Sequence, residues 1–328
     1  MAKRIPVEQR MADFKRASEK LSGEELLSAV KAGLKDQSNL VVEMAAKAVL
    51  ELEPGDCRQE LVAAWKPLAE NGEETDKNCR AKVPIVEALN KQGFDDPDFY
   101  LTGMKYVQME PAYGVPGGYH DTAAHVRGAC AYGLVDVQLA SQNDLLFALV
   151  DLLHDSVDVA REHAARALGS TGLMAAAPLL RSKVLSGDQS REVTGACFSG
   201  LMQYRESGSL EFVAGFLEGH NIDVAIEAGL ALGESRQDKA LDRLITCVRE
   251  TPMMDLRQSL VMSIGLARSS RAVDFLIGLI EKKDPHSETA VRSLAVSRFD
   301  QLVSDRVREA VGAAKNRKLS KVLKDHFG

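Results

Sequence analysis

The residues best suited to chemistry lie in one short stretch, HDTAAH at 120–125. Two imidazoles and a carboxylate are the kind of ligands that bind zinc and related metals. The stretch offers three ligands at most, and no fourth lies nearby in the sequence. The favoured interpretation is a capped helix on which Asp121 and His125, four residues apart, bond each other. We predict no metal, no cofactor and no catalytic residue, which favours a protein that is not an enzyme.

Two other patterns also fail to indicate chemistry. Five cysteines are scattered along the chain, and the closest pair is 22 residues apart, so they lack the spacing of metal ligands and are expected to be reduced thiols. The run GVPGG at 114–118 is not followed by the Gly-Lys-Ser/Thr of a phosphate-binding loop.

A charged N-terminus and the lack of any run of about 18 apolar residues predict a cytoplasmic protein without a membrane span.

The charge is unevenly distributed along the chain, whose formal net charge is −6. Residues 1–20 carry a net +3 and residues 301–328 a net +4, which leaves −13 for the part between them. Binding to a nucleic-acid backbone depends on clustered Lys and Arg. The acidic middle of the chain therefore disfavours nucleic acid as a partner. The basic ends are explained most simply as solvated helix faces.

A repeat organises the elements that position these residues. Four segments end in Leu, Ile or Tyr followed by Gly, at Gly133, Gly169, Gly233 and Gly265, with intervals of 36, 64 and 32 residues. Each follows an apolar stretch with helical spacing and a short turn. One such helix pair cannot bury its apolar face alone, so the pairs must stack. The predicted units are 22–54, 56–94, 95–137, 143–172, 173–208, 209–237, 238–270 and 271–299.

The terminal segments and two arginines complete this organisation. Residues 1–21 and 300–328 each show one apolar and one charged face, and we predict that they form helical caps on an array spanning 22–299. Arg161 and Arg257 occupy matching positions in their units, where we expect each to bond a neighbouring acidic residue or a carbonyl group.

Two segments carry a family resemblance. DVAREHAARALGSTG at 158–172 and DVAIEAGLALGESR at 223–236 resemble the second helix of HEAT repeats, in the short bacterial form that is also seen in phycobilisome-lyase-like repeat proteins. The resemblance implies an all-α, right-handed α-solenoid, an armadillo-like superhelix of about eight helix pairs with more than about 65% helix and no sheet. It implies a fold and says little about function.

The functional members of that family differ in how well they fit. Deoxyhypusine hydroxylase holds iron through His-Glu dipeptides, and this sequence contains none. HEAT-like alkylpurine glycosylases use a basic groove with exposed aromatic residues, which an acidic body with one tryptophan does not match. The leading hypothesis is a non-enzymatic scaffold or adaptor that binds a protein or peptide. The alternative is a lyase-type accessory factor that attaches or removes a tetrapyrrole (phycobilin). The partner, the process and the oligomeric state stay open.

The repeat is broken at residues 108–122, QMEPAYGVPGGYHDT. Two prolines and three glycines exclude a helix there, and long ordered loops within a domain are usually functional. Five of the six tyrosines lie between 100 and 132, and tyrosine is enriched at binding hot spots. The predicted partner-binding residues are Tyr113, Tyr119 and His120, supported by Tyr106, Glu110, Asp121, His125 and Arg127. Whether the loop binds a partner or clamps its own repeat stays open.

Overall fold

The computed structural model describes residues 5–112, 114, 116–137, 139, 141–205 and 208–328. The chain forms two compact units, Met1–Ala167 and Leu168–Gly328. The boundary falls within a helix, Asp158–Ser170, and not at a linker. Within each unit, helix pairs stack on one another, and the predicted all-α fold of stacked pairs is confirmed.

The first unit is built from short helices that follow one another closely. In chain order these are α1 Val7–Lys20, α2 Gly23–Leu34, α3 Asn39–Leu52, α4 Arg58–Glu70, α5 Gly72–Thr75, α6 Lys82–Lys91, α7 Pro97–Gly103, α8 Ala124–Asp136, α9 Gln142–Leu153 and α10 Asp158–Ser170. A 3-10 turn, Lys77–Cys79, lies between α5 and α6.

The second unit continues the same alternation to the end of the chain. Its helices are α11 Ala176–Ser186, α12 Arg191–Leu201, α13 Ser209–Ala214, α14 Ile222–Glu234, α15 Asp238–Glu250, α16 Met254–Leu266, α17 Ser270–Glu281, α18 Ser287–Leu294, α19 Gln301–Ala314 and α20 Arg317–Phe327. The 3-10 turns Gly215–Glu218 and Ala295–Ser297 extend α13 and α18.

The repeated glycines allow the helices to approach one another closely. A Cβ atom added at Gly233 would lie 2.1 Å from the backbone oxygen of Ser263 on the next second helix, α16. The same test at Gly265 gives 2.7 Å to the Ser293 oxygen on α18. Any side chain would force these helices apart, which explains why glycine recurs at this position.

The turn inside a repeat is closed by an aspartate. Asp155 Oδ1 accepts a hydrogen bond from the Val157 amide at 2.8 Å, and Asp284 Oδ1 accepts one from the His286 amide at 2.9 Å. Arg257 on the preceding second helix donates to Asp284 Oδ2 at 2.7 Å. It also donates to the Val248 carbonyl at 2.9 Å, so the structural role predicted for this arginine is confirmed.

Arg161 fills the corresponding place in the first unit. Its Nη1 donates to the carbonyl of Asp155 at 2.9 Å and to that of Ser156 at 3.2 Å. The prediction that this arginine bonds a carbonyl group is therefore confirmed as well.

The prediction that the chain contains no sheet is wrong at one place. Strands β1, Met109–Pro111, and β2, Tyr119–Asp121, form an antiparallel hairpin inserted between α7 and α8. One proline, Pro116, and three glycines lie between the strands where the chain reverses, and the Ala112 amide donates to the Gly118 carbonyl at 2.8 Å across the reversal. The strands are too short for period-two patterning to distinguish them from a loop.

Candidate functional site

The inserted hairpin lies against a second irregular segment, residues 71–81, which separates α4 from α6. Asn78 and Cys79 in that segment have φ angles of 58° and 51°, in the left-handed region that non-glycine residues rarely adopt. Such a conformation persists only where surrounding contacts hold it. The contacts that hold it come from the inner face of the hairpin.

Glu110 is the central acceptor on that inner face and is 6% exposed. Its Oε1 accepts hydrogen bonds from the Asn78 amide at 2.7 Å, from Gln108 Nε2 at 2.6 Å and from Thr122 Oγ1 at 2.8 Å. Burial raises the pKa of Glu110, but these hydrogen bonds outweigh it and leave the pKa below its ordinary value. The carboxylate therefore joins both strands of the hairpin to the irregular segment.

A fully buried ion pair lies beneath this contact. Lys82 Nζ is 3.2 Å from Asp76 Oδ2, and neither side chain is exposed to solvent. Asp76 also accepts from the backbone amides of Ala81 and Lys82, both at 3.0 Å, and its carbonyl accepts from Gln108 Nε2 at 3.0 Å. Buried charges are tolerated only when they are paired and hydrogen-bonded, as these are.

A second buried cation fixes the base of the hairpin. The Arg127 side chain is 3% exposed, and its guanidinium lies 2.7 Å from Asp121 Oδ2 and 2.8 Å from Asp155 Oδ2. It also donates to the Tyr106 carbonyl at 2.9 Å. Burial raises the pKa of Asp121, but hydrogen bonds from the Ala123 and Gln108 amides and from Arg127 lower it below its ordinary value.

Tyr106 packs inward at the start of the hairpin. Its ring lies edge-on to Trp65, with centroids 5.8 Å apart, and its hydroxyl donates to Gln108 Oε1 at 2.8 Å. Burial raises the pKa of this hydroxyl, so it stays protonated. Tyr106 therefore belongs to the anchor of the hairpin.

The outer face of the hairpin is apolar and open. Val107, Met109 and Tyr119 are 57%, 42% and 63% exposed. Residues 107, 109 and 111 alternate with the buried 108 and 110, and Pro111 pairs with Tyr119 in the strand register. We call Val107, Met109, Pro111 and Tyr119 the hairpin face.

An acidic turn borders the hairpin face. Glu70, Glu73 and Glu74 are exposed and line, with Tyr106, Val107 and Gln108, a cavity of 330 Å³. Gly72 lies at the centre of this turn, where an added Cβ would be 2.0 Å from Gln108 Oε1. The turn and the hairpin are thus in close contact, and three carboxylates lie beside the apolar surface. We call Glu70, Glu73 and Glu74 the acidic rim.

The structure separates the predicted site residues into two groups. Tyr119 and His120 are exposed on the hairpin, whereas Tyr113 lies outside the described residues. Glu110 and Arg127 are buried and bonded within the chain, and Asp121 is held by Arg127, so these three residues position the hairpin. Their role as partner contacts stays a prediction.

His125 does not bond Asp121 as predicted, since Asp121 ends strand β2 and pairs with Arg127. His125 is exposed on α8, and its ring lies 5.6 Å from that of His163 on α10. Burial, followed by the nearby His125, lowers the pKa of His163.

Sequence reasoning missed Val107, Met109 and the acidic rim. The alternation of apolar and polar residues in VQMEP at 107–111 is a weak indication of a short strand that exposes Val107 and Met109 on one face. Nothing in the sequence shows that residues 70–74 lie beside the hairpin. Within the described part of the chain, no three His, Cys, Asp or Glu side chains are grouped to hold a metal ion, and no helix is long and apolar enough to cross a membrane.

Comparisons with known proteins give similarities at the level of solved structures. No family model matches the chain, and no curated protein matches it. The Escherichia coli protein YibA is similar at 14% identity and a TM-score of 0.43, over 95% of this chain and 99% of that one. An engineered protein is similar at 14% identity and a TM-score of 0.37, over 99% of this chain and 96% of that one.

Human deoxyhypusine hydroxylase, solved in complex with glycerol, is similar at 18% identity and a TM-score of 0.31, over 80% of this chain and 91% of that one. TM-scores this low carry no conclusion about activity. The fold described above stands on the contacts within the chain.

Proposed function

We propose that the chain is a helical-repeat scaffold that binds a protein or peptide through the hairpin face. One observation carries the proposal: three large apolar side chains are exposed together on one side of a hairpin whose other side is fixed by buried charges. Exposed apolar clusters bordered by polar residues are typical of interaction sites.

The rigidity of the hairpin supports this function. Ordering a free loop costs on the order of 1–2 kcal/mol per residue in backbone entropy, and a binding partner must offset that cost if the loop is mobile beforehand. Here Glu110 and Arg127 hold the strands before any partner arrives. Binding energy from Tyr119 is then available for affinity, which is the advantage of a preorganised surface.

The acidic rim supports a partner with a matching charge. Glu70, Glu73 and Glu74 lie beside Val107 around one cavity, so a segment that combines apolar residues with Lys or Arg complements both features. A short apolar and basic peptide is the partner class proposed for this surface.

The experiment is a selection from a random peptide library displayed on phage, with the folded protein as bait. Selected peptides are expected to combine apolar or aromatic residues with Lys or Arg, and their affinities are measured by fluorescence polarisation. The triple variant Val107→Ser, Met109→Ser, Tyr119→Ser is expected to weaken binding by about tenfold or more, since tenfold corresponds to about 1.4 kcal/mol and truncating one hot-spot residue near the centre of an interface costs about 2 kcal/mol or more.

The matched control is Phe147→Ser, because Phe147 is 66% exposed on α9 in the same unit and lies outside the hairpin face. It is expected to leave affinity unchanged. Peptides that bind the triple variant as tightly as the unmodified protein would refute the hairpin face as the binding surface. Failure to select any peptide that requires the folded chain would refute peptide binding itself.

A further inference from the structure

A separate cavity in the second unit has the size and lining of a binding site for one side chain. It has a volume of 240 Å³ and lies between the Gly215–Glu218 turn and α15, closed on one side by residues 251–253. Ala214 and Leu217 form a buried floor, and the half-buried Cys247 lies beside them. Because pockets for drug-sized molecules measure ~300–1,000 Å³, this cavity suits one long side chain.

The rim of the cavity is negatively charged. Glu218 and Glu250 are exposed at its edge, and among the described residues neither takes part in an ion pair with a side chain. Arg243, the one cation lining the cavity, is 3.7 Å from Glu211 and so partly neutralised by it. Two carboxylates and one partly neutralised arginine therefore line an opening with an apolar floor, and the excess of negative charge favours a cation there.

The pKa of the Cys247 thiol is consistent with an excess of negative charge around the cavity. Burial raises the pKa of its thiol, and the carboxylates of Glu218 and Glu250 raise it further, against a smaller opposite effect from Arg243. Both carboxylates are therefore close enough to act on a charge inside the cavity.

Apolar surface continues outward from the mouth of the cavity. Met253 lines it and is 38% exposed, and Met254, the first residue of α16, is 51% exposed. Ile222 is 39% exposed and is likewise the first residue of its helix, α14, which packs directly against α16. Methionine adapts its shape to different partners, so this surface suits the residues flanking an inserted side chain.

We propose that this cavity binds one Arg or Lys side chain of a partner polypeptide. The aliphatic stem lies on Ala214 and Leu217, the cationic head lies between Glu218 and Glu250, and the flanking residues contact Met253 and Met254. A long basic side chain satisfies both requirements at once, because its stem is apolar and its end is charged. This site lies in the other unit from the hairpin face and is independent of it.

The first test measures the charge of the cavity with two thiol reagents of similar size. Cys247 is suited to this purpose because Cys57, Cys79, Cys130 and Cys197 are buried. At low ionic strength a cationic methanethiosulfonate (trimethylammonium-ethyl) is expected to modify Cys247 faster than the anionic sulfonatoethyl reagent. The double variant Glu218→Gln, Glu250→Gln is expected to reduce this preference by about threefold or more, because it removes both carboxylates of the rim under conditions in which salt screens their attraction for a cation least.

The matched control is Glu281→Gln, Glu309→Gln, which removes two exposed carboxylates from other helices of the same unit. It changes the net charge equally and is expected to keep the preference. The variant Cys247→Ser sets the background of labelling at other cysteines. An equal loss of preference in both double variants would show a general effect of net charge and overturn the assignment.

The second test asks whether a basic side chain occupies the cavity. Acetyl-Leu-Arg-Leu-amide is expected to slow the labelling of Cys247, and the analogue with citrulline, which has the same shape without the charge, is expected not to. The Glu218→Gln, Glu250→Gln variant is expected to lose the protection. Equal protection by both peptides would indicate an apolar pocket without charge selectivity, and absence of protection by either would show that the cavity takes no such side chain; each result overturns the proposal.

Discussion

The chain between helices is stabilised by different interactions in the regular turns of the second unit and in the irregular region of the first unit. At Asp284 one carboxylate closes the turn by accepting from the His286 amide and from one arginine. Around the hairpin the corresponding contact is extended into buried pairs that include Asp76, Lys82 and Arg127. The ion pair at the Asp284 turn is partly exposed, whereas the pairs around the hairpin lie in the interior.

The largest effect is expected from Arg127→Met. This change leaves Asp121 and Asp155, both largely buried, facing each other without their shared cation. Breaking a buried pair in this way costs about 3–5 kcal/mol. Urea unfolding followed by the fluorescence of Trp65, the only tryptophan of the chain, reports on the first unit.

The comparison residue for Arg127 is Arg257, whose side chain is 20% exposed and pairs with a single carboxylate. Arg257→Met is expected to cost about 1.5–3 kcal/mol, in the range of a hydrogen bond to a charged group. Equal costs for the two substitutions would contradict the distinction between the two regions.

The next largest effect is expected from Lys82→Met. Lys82 serves one carboxylate where Arg127 serves two, and Asp76 keeps its backbone amide donors, so the free energy of unfolding should fall by about 3 kcal/mol, the lower end of the cost of breaking a buried pair. The control Lys47→Met removes an exposed cation from an ion pair with Glu43 and should change stability by less than about 1 kcal/mol. A Lys82 variant as stable as this control would show that the buried pair contributes little to the anchor.

A steric test applies to the regular region. Gly233→Ala places a Cβ 2.1 Å from the Ser263 carbonyl oxygen, and overpacking of this kind costs about 1–3 kcal/mol. Gly278→Ala, on α17, meets nothing within 4 Å and is expected to stabilise the helix by about 0.5–1 kcal/mol. The midpoint temperature of thermal unfolding, followed by circular dichroism, should fall for Gly233→Ala and rise for Gly278→Ala.

The smallest effect is a dependence on pH in the irregular region. Folding lowers the pKa of Glu110 from its ordinary value of 4.5, so the charged carboxylate stabilises the fold above that pH, and the contribution is lost as pH falls through the lower folded-state value. The stability advantage over Glu110→Gln should therefore be present at pH 7 and shrink as the pH falls below about 4.5. An advantage that grows on acidification would contradict the assignment of Glu110 as a charged acceptor.

The regular part of the fold could be predicted because its causes are local in sequence. Gly233 and Gly265 recur at the spacing of one repeat, and Arg257 keeps a fixed place within it. The irregular part could not be predicted in the same way. Asp76 and Gln108 lie in irregular segments of two different helix pairs, and neither segment keeps the residue pattern of the repeat, so the sequence does not show that they bond.

For the proposed site, composition pointed to residues 108–122 but did not show which of their side chains the fold buries. Polar residues such as Glu110 and Asp121 were expected to face a partner, yet burial with suitable donors is equally open to them once the hairpin folds back. The exposed residues, Val107 and Met109, are apolar and resemble core residues in the sequence. A two-residue alternation over five positions is too short to show which face is turned outward.

The contacts of Asp76 also have a consequence for the way the chain unfolds. In an ideal repeat array each unit touches only its neighbours, so the array can fray from either end one unit at a time. Asp76 lies in the middle of three consecutive units and bonds both neighbours at once, through Asn39 at the start of α3 and Gln108 at the hairpin, while it pairs with Lys82 in its own unit. These three helix pairs should therefore open together, and their amide protons should exchange with solvent as one cooperative block, whereas the regular stack of the second unit exchanges in graded steps towards its end.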